Sequence, residues 1–270
     1  MTLTRSRLET SRSLLFVPGH RPDRFAKAAS SGAAAIIIDL EDAVAAQDKD
    51  RSRDNAAAWL DAGNSAVIRI NPPGTAWHDA DLEMAYRHGA PVMVPKSEDP
   101  SVLAELICRA AGRSLLIPLV ETAAGVERAT ELCAMGGMVR VAFGNVDLAG
   151  ELGVAHDDHV ALAYARSRLV SASAAAGLCP PIDGVTTSVK DTEALTADIA
   201  HSRRLGFTGK LCIHPAQIAT VTTHFAPTES EVRWARAVID AGDSVTVVDG
   251  QMVDKPVLER ARRILAASDD

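Results

Sequence analysis

The sequence is poor in aromatic residues and has no long apolar run. Aromatic side chains make up 4% of the 270 residues while apolar residues make up 47%, so Ala, Val, Leu and Ile must build the core. Such a core is typical of parallel strands covered by helices. No stretch approaches the ~20 apolar residues that cross a membrane, and the polar N-terminus lacks the apolar centre of a signal peptide. We therefore expect a soluble cytoplasmic protein without membrane contact.

Basic runs and paired cysteines are also missing. The formal net charge is -7, and no long basic run offsets it, which argues against nucleic-acid binding. The four cysteines form no CxxC pair, and their apolar or helical surroundings predict buried, reduced thiols. They are Cys108, Cys133, Cys179 and Cys212.

Eight apolar, strand-like runs alternate with amphipathic helical segments. The runs cover residues 13–18, 34–40, 66–71, 91–96, 115–121, 138–144, 181–186 and 210–215. This alternation predicts βαβ units and a parallel sheet. Eight units in about 215 residues fit a (β/α)₈ TIM barrel better than an open sheet, and no glycine-rich dinucleotide loop follows the first run. The seventh run, PPIDGVTTS, is the weakest prediction because it is rich in strand breakers.

A second region follows the predicted barrel. We place the barrel domain at residues 1–225 and a C-terminal extension at residues 226–270. Within the extension, SVTVVDGQMVD predicts a hairpin with Asp-Gly at its turn, and KPVLERARRILAAS predicts a last helix. The hairpin and helix are expected to act as a lid, or as an arm onto a neighbouring subunit.

Nearly all of the predicted strands end in polar or charged side chains. These are Asp39, Arg69, Lys96, Glu121, Asp147, Asp183 and His214. Function in a TIM barrel lies at the carboxyl-terminal ends of the strands. The pattern therefore predicts an active-site rim, although a buried and hydrogen-bonded ring is the favoured interpretation of His214.

Two carboxylates follow the neighbouring fifth and sixth strands. Glu121 and Asp147, with no His or Cys close by in sequence, make a hard oxygen site of the kind that suits Mg²⁺. Acids that pair with cations on the rim would give the same pattern. Spacing alone leaves the two interpretations equal.

Cations occur at two places on the predicted rim. Arg69 presents a forked donor suited to a substrate carboxylate or a developing enolate oxygen. Arg21, Arg24 and Lys27 open the first helix and suit a phosphate group, while a solvated helix face is the ordinary alternative.

A series of motifs runs in order along nearly the whole chain. They are RSLLFVPGHRPDRFAKA (12–28), IIIDLEDAV (36–44), RINPPGTAWHDADL (69–82), PKSED (95–99), LIPLVETAAGV (116–126), FGNVDLAGELG (143–153), GKLCIHPAQI (209–218) and VDGQMVDKP (248–256). Together they resemble the citrate lyase β-subunit family (HpcH/HpaI-type aldolases), which includes citryl-CoA, malyl-CoA and citramalyl-CoA lyases. The resemblance implies a (β/α)₈ barrel and Mg²⁺-dependent aldol chemistry on a coenzyme A thioester. The expected reaction cleaves a 3-hydroxyacyl-CoA such as citryl-CoA to acetyl-CoA and a 2-oxo acid, or forms it from them.

The resemblance also implies roles for individual residues. Glu121 and Asp147 would be the metal ligands, and Arg69 would contact the acid and the enolate. Glu41 and Asp42 would order metal-bound water and Arg69.

Further positions would contact the two halves of the substrate. Gly144 and Asn145 are expected to contact the substrate beside Asp147. Arg24 and Lys27 would contact the phosphates of coenzyme A.

Asp254, in the GQMVD motif, matters most to the expected mechanism. The resemblance implies that this carboxyl, supplied by a neighbouring subunit, moves a proton at the acetyl-CoA methyl group. The alternative is an N-cap of the last helix, which DKPVLERA fits well. The catalytic interpretation implies a homo-oligomer, and the family suggests a homotrimer.

One departure from the family pattern affects the metal site. Where members commonly have an acidic or small polar residue before the metal-binding Asp, this chain has Val146. A polar contact is lost there, and substrate preference is expected to shift. Three alternatives stay open: malyl-CoA or citramalyl-CoA as substrate, thioester hydrolysis on the same site, and a non-catalytic subunit of a larger assembly.

Overall fold

Eight parallel strands close into a barrel in which each strand pairs with the next and β8 pairs with β1. The computed structural model describes residues 3–241, 246–248 and 251–268. The strands are β1 Ser13–Pro18, β2 Ala35–Asp39, β3 Val67–Arg69, β4 Val92–Val94, β5 Leu116–Val120, β6 Ala142–Phe143, β7 Ile182–Asp183 and β8 Gly209–Cys212. All eight lie within or one residue beyond the predicted runs, so the (β/α)₈ barrel is confirmed.

Helices connect the strands on the outside of the barrel. They are α1 Arg5–Glu9, α2 Phe25–Ala29, α3 Lys49–Asp61, α4 His78–Arg87, α5 Pro100–Ala110, α6 Ala123–Glu127, α7 Ala129–Cys133, α8 Asn145–Leu152, α9 Ala163–Ala175, α10 Thr192–Leu205 and α11 Ile218–Phe225. No helix in the described part of the chain is long and apolar enough to cross a membrane.

Helix α5 shows how local sequence sets these elements. Asp99 caps it by accepting a hydrogen bond from the Ser101 N–H at 2.8 Å, and Pro100 occupies its first turn. Leu103 and Leu106 recur on its buried face. Cys108 falls between Leu106 and the buried Ala110 and is exposed. Cys179 is half-buried, so the prediction of four buried thiols is confirmed for Cys133 and Cys212 only.

A buried arginine closes the amino-terminal end of the barrel. Arg140 is fully buried, and its five N–H groups donate to backbone carbonyls or to a threonine hydroxyl. The acceptors are Leu8 O, Ser11 O, Pro180 O, Pro181 O and Thr208 Oγ1. Arg140 thereby links α1 to the segments that precede β7 and β8. Strand β6, which begins two residues after Arg140, has two residues and is shorter than the run 138–144 predicted.

The chain divides into two compact units between Thr222 and Thr223. The second unit contains α12 Glu229–Asp240, a hairpin of β9 Thr246–Val248 and β10 Gln251–Val253, and α13 Lys255–Ser268. Ala235 and Val238 of α12 are buried together with Leu258 and Ala261 of α13. The hairpin and last helix match the sequence prediction, while the turn residues 249–250 lie outside the described residues. The boundary expected at 225/226 falls at the end of α11.

Candidate active site

Strand register places the charged side chains at one end of the barrel. In the β2–β3 pair, Asp39 lies directly opposite Arg69, and in the β5–β6 pair, Val120 lies opposite Phe143. Glu121 therefore follows β5 at the level where Gly144 follows β6. These positions are the carboxyl-terminal ends of parallel strands, where the loops of a (β/α)₈ barrel build the site.

Arg69 is held on three sides. Its Nε and Nη2 each donate to one oxygen of Asp39 at 2.7 Å, a bidentate pair, and its guanidinium lies 4.8 Å from the Phe16 ring centre. Nη1 is in ion-pair contact with Glu41 Oε2 at 2.9 Å and lies 4.0 Å from Asp42 Oδ2. Burial lowers the pKa of Arg69, but the charge and hydrogen bonds of Asp39 and the charges of Glu41 and Glu121 together raise it above its ordinary value. Arg69 is thus a fixed cation at the rim.

Glu41 is a buried acid beside this cation. It is 3% exposed, and apart from the ion-pair contact with Arg69, neither carboxylate oxygen has a hydrogen-bond partner within the described part of the chain. Burial raises the pKa of Glu41 to about 7, against the opposing charge of Arg69. Lys49 fixes the loop by donating to the carbonyls of Leu40 and Glu41, both at 2.8 Å. Glu41 is therefore set to accept a proton or a hydrogen bond.

Glu121 is a second buried acid, and it lines the same cavity as Arg69. Its Oε1 accepts the backbone N–H of Lys96 at 2.8 Å. A Cβ at position 144 would overlap the Glu121 side chain, so glycine is required there. Burial, with the nearby charges of Glu41 and Asp147, raises the pKa of Glu121 to about 8, although the Lys96 N–H lowers it.

Asp147 lies in the first turn of α8, which begins immediately after Gly144. Beside it, the Asn145 amide donates to the carbonyls of His156 and Val185 at 3.1 Å and accepts the Val185 N–H at 2.8 Å. These bonds hold the start of α8 against the segment after β7. The expected substrate contacts of Gly144 and Asn145 stay predictions.

A cavity of ≈ 240 Å³ joins these groups. Its lining residues are Phe16, Asp39, Asp42, Ala43, Arg69, Leu119, Glu121, Phe143, Gly144, Asn145, Val146, Asp147, Val185, Leu211 and Ile213. Over residues 3–241, 246–248 and 251–268, no group of three or more His, Cys, Asp or Glu side chains is gathered for a metal. The donor set here is two carboxylates, Glu121 and Asp147. Two carboxylates suit a hard cation that keeps several positions for water and substrate.

A second cavity of ≈ 450 Å³ shares Phe16 and Ile213 with the first. Arg24 and Lys27 line it. His214 also lines it, and its Nδ1 caps the following turn by accepting the Ala216 N–H at 3.2 Å. His214 is exposed, so the prediction of a buried histidine is wrong.

Asp183 lies away from the cavity. It is fully buried, in contact with Arg166 Nε at 2.9 Å, with Lys210 Nζ at 3.4 Å and with the Ser202 hydroxyl. Two cations, from α9 and β8, and one hydroxyl group, from α10, face it. Asp183 does end β7 as predicted, but it serves packing between the barrel and its helices and is not among the residues that line the cavity.

Asp254 belongs to the second compact unit. It is half-buried, and its Oδ1 accepts the Val257 N–H at 3.3 Å at the start of α13. The N-cap interaction is thus present. The proton-transfer role remains a prediction.

Sequence reasoning missed Phe16, and it named Lys96 as a rim residue without predicting the role of its backbone N–H. Phe16 supports the Arg69 guanidinium, and Lys96 supplies the N–H that holds Glu121. Lys96 has φ +48°, the left-handed conformation that is uncommon outside glycine. A strand-end lysine carries no sequence signal for that backbone conformation. The half-buried place of Phe16 on β1 follows from the alternation of that strand.

The fold and the site define a (β/α)₈-barrel protein with a charged cavity at its carboxyl-terminal mouth. The sequence pattern of the HpcH/HpaI aldolase/citrate lyase family matches residues 12–215. The chain belongs to this family, which confirms the resemblance drawn from the motifs.

Four similar proteins cover between 82% and 97% of the chain. It is 36% identical to a citrate lyase subunit beta-like protein of Deinococcus radiodurans, over 94% of this chain and 96% of that one. It is 34% identical to a (3S)-malyl-CoA thioesterase of Cereibacter sphaeroides, over 96% and 94%. CitE of Mycobacterium tuberculosis in complex with magnesium, acetoacetate and coenzyme A superposes with a TM-score of 0.83 at 33% identity, over 97% and 100%. A citrate lyase beta subunit from the same organism, complexed with oxaloacetate and magnesium, has a TM-score of 0.70 at 33% identity, over 82% and 100%.

Proposed function

We propose that this protein is a Mg²⁺-dependent carbon–carbon lyase that cleaves or forms a 3-hydroxyacyl-CoA, with acetyl-CoA and a 2-oxo acid as the two parts. The observation that carries the proposal is the meeting of Glu121, Asp147 and a fixed Arg69 in one cavity. The similar M. tuberculosis structure supports it, since that protein was solved with magnesium and coenzyme A.

Glu121 and Asp147 would hold the ion. Their carboxylate oxygens are suitable ligands for the ion, and Gly144 leaves space for the Glu121 side chain. The Glu41 oxygens can accept hydrogen bonds from water bound to the ion. A bound Mg²⁺ supplies a Lewis acid that polarises the oxygen of the oxo group.

The chain's own cation binds and orients the oxo acid. Arg69 offers its guanidinium to a carboxylate or to the developing enolate oxygen. The bonds to Asp39 and the contact with Phe16 keep the guanidinium in place. Positioning of this kind counts in catalysis because the donor needs no reorganisation during the reaction.

In the cleavage direction, the bond between the hydroxyl-bearing carbon and the acetyl methylene breaks. Its electron pair passes into the thioester as the enolate of acetyl-CoA, and the hydroxyl loses its proton as the carbon becomes the oxo carbon. Glu41 is the acid beside Arg69 that is set to take this proton through water. A second proton must reach the enolate carbon, and this is the role that we assign to Asp254. Synthesis reverses each of these transfers.

Arg24 and Lys27 are assigned to the phosphates of coenzyme A. Both line the cavity that shares Phe16 and Ile213 with the acid-binding cavity, so a thioester can extend from one into the other. The family resemblance implies that a neighbouring subunit supplies Asp254, and we therefore propose a homotrimer.

Product analysis tests the proposal. The protein is incubated with Mg²⁺, acetyl-CoA and a 2-oxo acid, and the thioesters are separated and identified by mass spectrometry. Formation of a 3-hydroxyacyl-CoA that vanishes with EDTA supports the lyase. The proposal is contradicted if acetyl-CoA stays intact with every oxo acid offered and if a 3-hydroxyacyl-CoA, supplied instead, is not cleaved.

Thioester hydrolysis is the second candidate. It is favoured by the 34% identity to a (3S)-malyl-CoA thioesterase over 96% of this chain. The same products decide, because hydrolysis of malyl-CoA yields free malate and coenzyme A, whereas cleavage yields acetyl-CoA and glyoxylate.

A further inference from the structure

We infer that the oxo-acid cavity selects a 2-oxo acid with a single carboxylate and rejects one with a second carboxylate. The inference rests on the proposed function and narrows its substrate. Within the 3-hydroxyacyl-CoA class, it favours thioesters whose oxo-acid half resembles pyruvate. It disfavours citryl-CoA, whose oxo-acid half is oxaloacetate.

The charges of the cavity wall give the first argument. Four carboxylates line it: Asp39, Asp42, Glu121 and Asp147. Arg69 is the one cation among the described residues that line it. A divalent ion would offset two negative charges, and the first carboxylate of the substrate would restore one. A further carboxylate would enter a wall that is already negative.

The donors near the cavity give the second argument. Nε and Nη2 of Arg69 are bonded to Asp39 and its Nη1 contacts Glu41, which leaves this guanidinium with little capacity beyond one substrate carboxylate. Both hydrogens of the Asn145 amide are bonded to backbone carbonyls. The Lys96 ammonium lies 3.9 Å from Glu41 Oε1 and is not part of the lining.

The rest of the wall is apolar. Val146, Val185 and Ile213 line it, and Val146 is 42% and Ile213 39% exposed, so their surfaces are open to contact. A methyl or ethyl group gains from burial against these side chains. A carboxylate there would lose water and find no partner, which is costly. The wall therefore accepts an apolar substituent on the oxo acid.

Calorimetry with three acids tests the inference. Pyruvate, 2-oxobutyrate and freshly dissolved oxaloacetate are titrated into the whole protein with Mg²⁺ present and without acetyl-CoA. The last two acids carry a methyl or a carboxylate group at the same place, so they separate the effect of charge from that of size.

We expect pyruvate and 2-oxobutyrate to bind within ~10-fold of each other, and oxaloacetate to bind at least ~10²-fold more weakly. Oxaloacetate binding as tightly as 2-oxobutyrate would overturn the inference and leave the proposed function in place. Weak binding of both larger acids would overturn it too, because size would then be the cause. Absence of metal-dependent binding for all three would instead contradict the proposed function.

A substitution at Ile213 gives an independent test. Ile213→Arg adds a cation to the wall, and Ile213→Met is the matched apolar control. We expect the ratio of oxaloacetate affinity to 2-oxobutyrate affinity to rise at least ~10-fold in Ile213→Arg and to stay near the wild-type ratio in Ile213→Met. An unchanged ratio in an Ile213→Arg protein that still binds pyruvate would overturn the inference.

Discussion

Both carboxylate oxygens of Asp39 accept hydrogen bonds from one edge of the Arg69 guanidinium, each at 2.7 Å. The two residues lie opposite each other in the β2–β3 register. The same carboxylate also accepts the backbone N–H groups of Glu41 and Ala43 at 2.9 and 3.1 Å. Asp39 thus connects the loop that carries Glu41 and Asp42 to the cation of the site.

Asp39→Asn is expected to weaken oxo-acid binding. The amide keeps the shape of the carboxylate but loses the charge and one acceptor, so Arg69 is less firmly oriented. We expect the dissociation constant of pyruvate to rise ~10-fold while the Mg²⁺ affinity changes little. Asp79→Asn, which alters an Asp–Arg pair between exposed helices, is the control. Equal effects of the two substitutions on pyruvate binding would contradict the role of Asp39.

Gly144→Ala is expected to weaken Mg²⁺ binding without unfolding the protein. The new Cβ would overlap Glu121 and push its carboxylate out of place. An affinity loss of ~10–100-fold, measured by metal titration, is typical when the support of a ligand is lost. Gly150→Ala, within the helix that follows Gly144, is the matched control, because its Cβ would meet no atom within 4 Å. A wild-type Mg²⁺ affinity for Gly144→Ala would show that Glu121 is not a ligand.

The affinity for Mg²⁺ should depend on pH through Glu121. In the metal-free protein, burial raises the pKa of this carboxyl to about 8, so the ion displaces a proton below that pH. Apparent affinity should rise by about tenfold per pH unit as the pH increases towards the pKa, and then level off. Calorimetry in two buffers of different ionisation enthalpy counts the released protons. An affinity that stays constant through this range would contradict the prediction.

Substitutions at Asp254 can separate its two roles. Asp254→Ser keeps an N-cap acceptor for α13 and removes the carboxyl group. If Asp254 transfers the proton, turnover of this variant should fall by ~10²–10⁴, with the urea midpoint nearly unchanged. Asp254→Ala should lose both the cap and the turnover. Wild-type turnover in Asp254→Ser would restrict Asp254 to capping.

Arg140→Leu should destabilise the barrel. Four backbone carbonyls would lose the hydrogen bonds that Arg140 now donates, and α1 would lose its link to the segments before β7 and β8. We expect a loss of about 3 kcal/mol in the free energy of unfolding, measured in urea. Arg87→Leu, at an exposed position on α4, is the control and should change stability little. Similar losses in the two variants would contradict the buried role of Arg140.

The barrel was predictable because eight apolar runs alternate with amphipathic helices, and the periodicity reports burial directly. The acids and Arg69 were predictable as rim groups because they end those runs. The short β6 was not predicted, and neither was the burial of Arg140, whose carbonyl partners are distant in sequence. Asp183 ends a run as Glu121 does, but cations from α9 and β8 surround it, and only the packed structure shows this. The left-handed Lys96 likewise has no local signal.

Pyruvate binding measured with and without metal tests the central claim most directly. Wild-type protein and Asp147→Asn are each titrated with pyruvate by calorimetry, once with Mg²⁺ and once with EDTA. We expect binding heat in the wild type with Mg²⁺ only, because Asp147 and Glu121 are assigned to hold the ion that binds the acid together with Arg69. Equal pyruvate affinity in EDTA, or in Asp147→Asn with Mg²⁺, would contradict the account.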